Sequence, residues 1–370
     1  MTENNAVESA TVSSHTQVAT YSSAPRADAR RTASSPKTQR ISALDFTKGT
    51  LVLIMVLYHW INYFIGLQWG YYRYLRFLTP SFIFITGFMI SNVYLSKYEA
   101  ADSRLSKRLF TRGLKLLIIF IALNLARIYI APALGTGEVS QNLVDARNLF
   151  IVFVSGNMPV TAGKLISFSI LVPISYLLML SGVLMLPYRF YRHMFHLVCV
   201  LLLLSIVILG FRGAESPNLE LITIGMLGLL SGFASIPSIN ERVRHPYALA
   251  FAYVCYTIAI TIWNVPFWLQ MIGVPLSLAV IYLVGISGND SGWVRSKTIL
   301  LGKYSLFGYI SQIAILQILA VTCRHTHLGF AVLTLSLITA LALTIFSVEV
   351  VDRLRITVPT MDRLYKAVFA

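Results

Sequence analysis

The residues most suggestive of chemistry lie in the first apolar segment, 43–64, which reads ALDFTKGTLVLIMVLYHWINYF. His59 lies deep in that segment, and an imidazole changes protonation near neutral pH, so His59 could act as a general base or acid. On a helix, Asp45 and Lys48 fall on the same face as His59, and Asn62 lies on the neighbouring face. Ionisable groups within a membrane usually face a protein interior or a wet cavity. We therefore expect a central helix with a polar stripe, and His59 lining a cavity.

Structural interpretations of the same residues stay open. An imidazole such as that of His59 can be a neutral group that is hydrogen-bonded between helices. Asp45 and Lys48, three residues apart, can be an ion pair at the start of a helix.

The third apolar segment carries cations at one end and two polar residues at the other. Arg108, Arg112 and Lys115 recur on one side and could bind the phosphates of a donor molecule. They could equally be interfacial anchors with snorkelling side chains. Asn124 and Arg127 lie near the far end of the segment, where they could face the same cavity as His59.

The ninth apolar segment carries a polar face. Ser305, Tyr309 and Gln312 recur at the i, i+4, i+7 spacing of one helix face. These side chains could line the cavity with His59, and interhelical hydrogen bonding is the alternative. No spacing of Cys, His, Asp or Glu matches a metal motif, so we expect no metal.

The composition bounds the fold class. Of 370 residues, 56% are hydrophobic and only 12% are charged, with a mean hydropathy of +0.70, whereas soluble domains carry about 25% charged residues. This predicts an all-α, polytopic transmembrane helix bundle spanning 41–352, between a disordered cytoplasmic tail at 1–40 and a short C-terminal tail at 353–370. Ten segments are long enough to cross a bilayer: 45–66, 76–96, 112–132, 164–187, 194–211, 219–236, 247–264, 268–286, 298–322 and 328–350.

Positive charge predicts the orientation. The net charge is +15, but most of the 30 Lys and Arg residues lie in loops on one side of the predicted bundle. This pattern indicates membrane topology rather than nucleic-acid binding. It predicts a multi-pass protein of the plasma or inner membrane with both termini in the cytoplasm. The run at 148–157 is too short to span and is expected to be interfacial or re-entrant.

Three stretches together resemble the integral-membrane acyltransferase superfamily: RISALDFTKGTLVLIMVLYH, FLTPSFIFITGF and KRLFTRGLKLL. The nearest branch is similar to the bacterial heparan-α-glucosaminide N-acetyltransferase-like proteins, which are related to the acyltransferase 3 family. LGKYSLFGYISQ resembles that family's late Gly-x-x-Ser-Leu-x-x-Tyr helix. In this comparison Asp45 and His59 match the family's Asp and His, Lys48 replaces the usual Arg, and Gln312 stands where many relatives have His.

The resemblance implies transfer of an acyl group, commonly acetyl from acetyl-CoA, to a hydroxyl or amine of a glycan on the far side of the membrane. His59 would then be the catalytic base. Asn62, Asn124, Arg127, Tyr309 and Gln312 would hold the acceptor, and Asp45, Lys48, Arg108 and Arg112 would hold the donor. Expected partners are membrane lipids and a glycan or other small acceptor, and not nucleic acid. A transporter or flippase of a glycan or lipid-linked substrate, and a non-catalytic membrane protein, remain alternatives.

Overall fold

A computed structural model describes residues 41–66, 70–95, 103–133, 151–157, 168–186, 191–263, 265–288, 292–323 and 329–369. All the regular structure in this part of the chain is helical, which confirms the predicted all-α class. The predicted tail at 1–40 lies outside the described residues. The helices are α1 Ser42–Phe64, α2 Tyr72–Leu75, α3 Leu78–Met89 with a π-helical extension Ile90–Leu95, α4 Ser103–Ala133, α5 Leu171–Leu184, α6 Tyr191–Phe211, α7 Pro217–Ser231, α8 Ile236–Val243, α9 Pro246–Trp263, α10 Phe267–Ser287, α11 Trp293–Lys303, α12 Ser305–Thr322, α13 Phe330–Thr357 and α14 Pro359–Phe369.

The helices have the lengths and surfaces of a membrane protein. Within the described residues, 8 helices are long and apolar enough to cross a bilayer, or 9 if α7 and α8 together form one bent span. Apolar side chains point outward from the outer helices, as in Val200 on α6, Phe251 on α9 and Ile338 on α13. Such a surface would be unfavourable in water and is suited to lipid. The chain is therefore a multi-pass, membrane-type helical bundle.

Three of the ten predicted spans differ from the observed helices. The segment 164–187 contains α5, whose 14 residues cover only about 21 Å. The segment 219–236 is interrupted because α7 ends at Ser231 and α8 leaves at 103°, with Ser235 capping the new helix and Pro237 in its first turn. The segment 298–322 is broken at Tyr304, which separates α11 from α12.

Helix α1 is central, as predicted. It packs against α3, α10, α11, α12 and α13, and its most extensive contact is with α11. That contact is a crossing of two glycines. A Cβ at Gly49 would clash with the Thr298 carbonyl, and one at Gly302 would clash with the Asp45 carbonyl. Small residues at such positions let the backbones of membrane helices touch.

The pair α3 and α7 uses the same device. Side chains at Gly87 or Gly228 would clash with the backbone of the opposite helix. Ser91 adds a hydrogen bond, its hydroxyl donating to the Leu229 carbonyl at 2.6 Å. These small residues therefore let α3 and α7 pack with their backbones in close contact. Helix α3 in turn forms one wall of the interior beside α1.

The predicted C-terminal tail, 353–370, is helical through Phe369. Helix α13 continues to Thr357, and α14 then turns back along the bundle. Arg355 pairs with Asp362 at 2.6 Å and lies over the Tyr365 ring. Phe369 contacts Phe307 of α12 with ring centroids 6.0 Å apart. The end of the chain therefore packs against the start of α12.

Candidate functional site

His59 lies on the inner side of α1 among aromatic rings. Its ring centroid is 5.1 Å from Tyr58 and 6.3 Å from Tyr309. The Tyr58 hydroxyl donates to the Tyr72 hydroxyl at 2.6 Å, so α2 closes this part of the interior. Nε2 of His59 is enclosed and has no hydrogen-bond partner in the described part of the chain. This does not match the structural interpretation in which the imidazole bridges two helices through that atom.

Two amide side chains share this property. Oδ1 of Asn62, one turn along α1, is enclosed without a partner among the described residues. Gln312 is fully buried, and both its Oε1 and its Nε2 lack partners within the same residues. Buried polar groups in folded proteins are nearly always hydrogen-bonded, so a group of unpaired ones calls for an explanation. Interhelical hydrogen bonding does not explain Gln312.

Tyr309 connects these groups to a cavity. Its ring packs against His59, Phe82 at 6.4 Å and Phe168 at 5.9 Å. It also lines a cavity of about 240 Å³ bounded by α1, α3, α4, α5, α12 and the end of α14. Ser305, one turn earlier on the same face of α12, lines the cavity too. Ser305 and Tyr309 of the predicted polar face therefore line this cavity, whereas Gln312, His59 and Asn62 are not part of its lining.

Three cations line the same cavity: Lys48 from α1, and Arg112 and Lys115 from α4. The Arg112 guanidinium donates to the Tyr94 hydroxyl, which fixes its position. The remaining walls are mainly apolar, with Ile85 and Met89 from α3 among them. Basic side chains beside an apolar passage suit a ligand with a phosphorylated head and an apolar arm.

The predicted pair at the start of α1 is present. Lys48 Nζ lies 2.5 Å from Asp45 Oδ1, and Asp45 in the first helical turn is favourable for the helix dipole. The pair therefore has the structural role that the spacing allowed. Lys48 lines the cavity as well, whereas Asp45 does not appear in its lining.

The structure does not bring all the predicted residues to this site. Arg108 is exposed one turn before Arg112 and is outside the cavity lining. The Asn124 amide donates to Phe120 of its own helix at 2.9 Å, and that bond does not direct it to His59. The side chain of Arg127 lies outside the described residues.

Of the three cations predicted on one side of the third apolar segment, Arg112 and Lys115 line the cavity. Sequence reasoning missed α14 as a part of the cavity. Val368 and Phe369 line the cavity at the end of α14. No pattern within their own segment indicates that contact, because it depends on how the end of the chain folds back.

Polar contacts join Tyr304, α13 and α14 at this end of the bundle, and Tyr304 and Asp362 lie outside the candidate spans. Tyr304, at the break before α12, donates to Asp352 at 2.5 Å. Burial, followed by the hydrogen bond to Asp352, raises the pKa of Tyr304 to about 12, so it remains a donor at neutral pH. Hydrogen bonds from Lys366 and then Arg355 lower the pKa of Asp362. Asp362 is therefore a carboxylate that pairs with Lys366 on α14 and links α14 to Arg355 of α13.

The site has two parts, the cavity with its cations and a group of unpaired polar atoms outside its lining, and the Tyr309 ring is near both. Lys48 and His59 are eleven residues apart on α1, which is about 16 Å along the helix. Cations lie at one end, and unpaired polar atoms of an imidazole and amides lie towards the other. Such a geometry can hold a charged head group apart from a reacting group. In comparisons with known proteins, no protein family, curated protein or solved structure matches the chain.

Proposed function

We propose that this protein is a membrane-embedded acyltransferase that moves an acyl group, with acetyl from acetyl-CoA as the expected donor, to a hydroxyl or amine of a glycan. The observation that carries the proposal is that the ring of Tyr309 lies close both to a cationic cavity and to His59. A cavity with three cations reaches Tyr309, and the Tyr309 ring lies 6.3 Å from the ring of His59. The resemblance to the membrane acyltransferases adds to this argument.

The cationic end suits the donor's phosphates. Lys48, Arg112 and Lys115 would bind them where α1 begins, and the apolar walls of the cavity would take the donor's arm. The proposal places this end in the cytoplasm, where acetyl-CoA is available and where the distribution of Lys and Arg predicts that α1 begins. Arg108 is left out of this set because it does not line the cavity.

His59 would act as the general base. Its Nε2 would take the proton from the acceptor hydroxyl or amine as the acceptor atom bonds to the acyl carbon. The Gln312 amide N–H would donate to the developing oxyanion, and Asn62 Oδ1 would accept a hydrogen bond from the acceptor. The carbon–sulfur bond then breaks, and the thiol leaves with a proton. His59 Nε2, Asn62 Oδ1 and Gln312 Nε2 each receive a partner in this scheme.

The test uses purified protein in liposomes with acetyl-labelled acetyl-CoA outside and cell-envelope glycans inside. We expect label on glycan with the wild type and its loss with His59→Ala, while donor binding persists. A folded His59→Ala protein that still transfers label would contradict the base assignment.

A second pair of variants tests the cationic end. Lys115→Gln should weaken donor binding, while its matched control Arg108→Gln, on the same helix, should not. Equal losses in both would indicate general surface charge instead. A wild-type protein that carries glycan across the membrane without acylating it would favour the transporter alternative.

A further inference from the structure

A second cavity lies beside α3, whose Ile85 also lines the first cavity. Its volume is about 420 Å³, and it is bounded by α1, α3, α7, α8 and α10. Most of its lining is aliphatic or aromatic, with Phe88 of α3 and Leu278 of α10 as examples. None of the groups proposed to act on the acyl group lines it. Its size is that of a small-molecule site.

Local sequence features explain why a space is left between α10 and the neighbouring helices. Pro275 lines the cavity from within α10, and a proline inside a helix removes a backbone hydrogen bond and bends the axis. Ala279, one turn later, and Ala234, after α7, present only methyl groups to the space. The 103° turn between α7 and α8 then carries α8 across the opening.

Helix α8 is amphipathic, and its apolar face lines the cavity. Ile236, Ile239 and Val243 recur at i, i+3 and i+7 and all contribute to the lining. Glu241 and Arg244 are exposed. A short helix with this pattern, crossing the end of a bundle, is typical of the membrane interface. Ile41, where α1 begins, lies at the same end, so the cavity opens at interfacial depth.

One cation is placed at this opening. Arg242 lines the cavity and is exposed, and it forms no ion pair with any residue that the structure describes. The neighbouring polar group is already satisfied, since the Tyr282 hydroxyl donates to Asn240 at 2.9 Å. A guanidinium at the rim and an apolar interior are complementary to a phosphate that is joined to a hydrocarbon chain.

The depth of the cavity agrees with that ligand. From Tyr282 to Pro275 the lining of α10 runs seven residues, or about 10 Å, which is roughly one third of a bilayer's hydrocarbon core. An acyl chain could enter alongside α10 while its head group stays at the interface.

We propose that this second cavity is a binding site for one anionic glycerophospholipid, with an acyl chain between α3, α8 and α10 and the phosphate on Arg242. Among the described residues, Arg242 is the only free cation that lines this cavity, so a soluble phosphate would gain only one ionic contact and none from the apolar walls. Residues 1–40 contain no apolar run that could occupy a cavity with such apolar walls. The proposal does not depend on the acyltransferase reaction.

The first test is photo-crosslinking of the full-length protein. The protein, with Ile239→p-benzoylphenylalanine, is placed in vesicles of equimolar phosphatidylglycerol and phosphatidylcholine with matched chains, and the adducts are identified by mass spectrometry. Phe251→p-benzoylphenylalanine, on the exposed face of α9, reports bulk lipid. We expect phosphatidylglycerol to be enriched at position 239 relative to position 251. Equal composition at the two positions, or an adduct with residues 1–40 or with a second copy, would overturn the proposal.

Two substitutions then separate head group from chain. Arg242→Gln should reduce the preference for phosphatidylglycerol by about fivefold, the usual effect of one cation near an anionic membrane surface, while Arg244→Gln should leave it unchanged. Ala279→Phe should fill the interior and abolish the adduct at 239. Equal losses with both arginine variants, or an adduct that persists in a correctly folded Ala279→Phe protein, would refute this site.

Discussion

Gln312→Leu offers the sharpest test of the site because a structural and a functional glutamine predict opposite signs. The side chain is fully buried, and neither of its amide atoms has a partner in the described part of the chain. A buried polar group without a partner costs about 1–3 kcal/mol. Leucine has a similar size and no polar atoms, so the exchange removes this cost and leaves no large cavity.

The magnitude follows from those numbers. Relieving only one of the two atoms should raise the free energy of unfolding by about 1–3 kcal/mol. An amide hydrogen-bonded between membrane helices would instead lose stability on replacement, by about 0.6 kcal/mol on average. The two interpretations therefore differ in sign as well as in size. We expect Gln312→Leu to be more stable than the wild type and to transfer little or no label.

The assay is thermal unfolding of purified protein in one detergent, followed by tryptophan fluorescence, with transfer measured on the same samples. Ser336→Ala is the matched control, since Ser336 accepts a hydrogen bond from Trp60 Nε1 at 2.8 Å, and its loss should lower the unfolding temperature. If Gln312→Leu is destabilised as much as Ser336→Ala, the amide has partners in the protein and the reasoning is refuted.

Three further predictions concern the scaffold. Gly49→Ala should destabilise the protein by about 1–3 kcal/mol, because the new Cβ would clash with the Thr298 carbonyl. Gly210→Ala should have little effect, because there is open space around Gly210. Equal unfolding temperatures for the two variants would contradict this prediction. Asn218→Ala should cost about 1–3 kcal/mol, since its amide donates to the Val152 and Phe153 carbonyls, and exposed Asn157→Ala should cost far less in the same melt. The pKa of Asp362 is lowered from its ordinary value of 3.8, so its charge stabilises α14 above that pH, and this contribution is lost as the pH falls further. Protease cleavage near residue 358 should therefore increase on acidification. Asp362→Asn should be cleaved faster at neutral pH and show little acid dependence, and an unchanged cleavage profile would refute the role of Asp362.

Much of the fold could be predicted because membrane helices are marked by length and hydropathy alone. Seven of the ten predicted spans coincide with helices that are long and apolar enough to cross a bilayer, and an eighth, 298–322, contains such a helix after the break at Tyr304. The break at Tyr304 could not be predicted from its own segment, because its partner Asp352 comes from α13, almost fifty residues later. The short length of α5 could not be predicted either, because it lies within the longer apolar run 164–187.

The candidate site could be predicted in part. Helical periodicity placed Tyr309 and Gln312 on one face, and the stripe on α1 placed His59 inside the bundle, because each pattern is local to one helix. The cavity itself depends on the packing of six elements. Arg108 and Lys115 lie seven residues apart on the same basic segment, and only the packing of α4 distinguishes the exposed residue from the one that lines the cavity.

The glycine crossing of α1 and α11 has a mechanical consequence. The close backbone approach at Gly49 and Gly302 fixes the position of α1 next to Lys48. His59 lies ten residues beyond Gly49, which is about 15 Å along the helix. A tilt of α1 by about 10° about the crossing would therefore displace the imidazole by about 2.6 Å, enough to make or break a hydrogen bond, while Lys48 would stay almost in place.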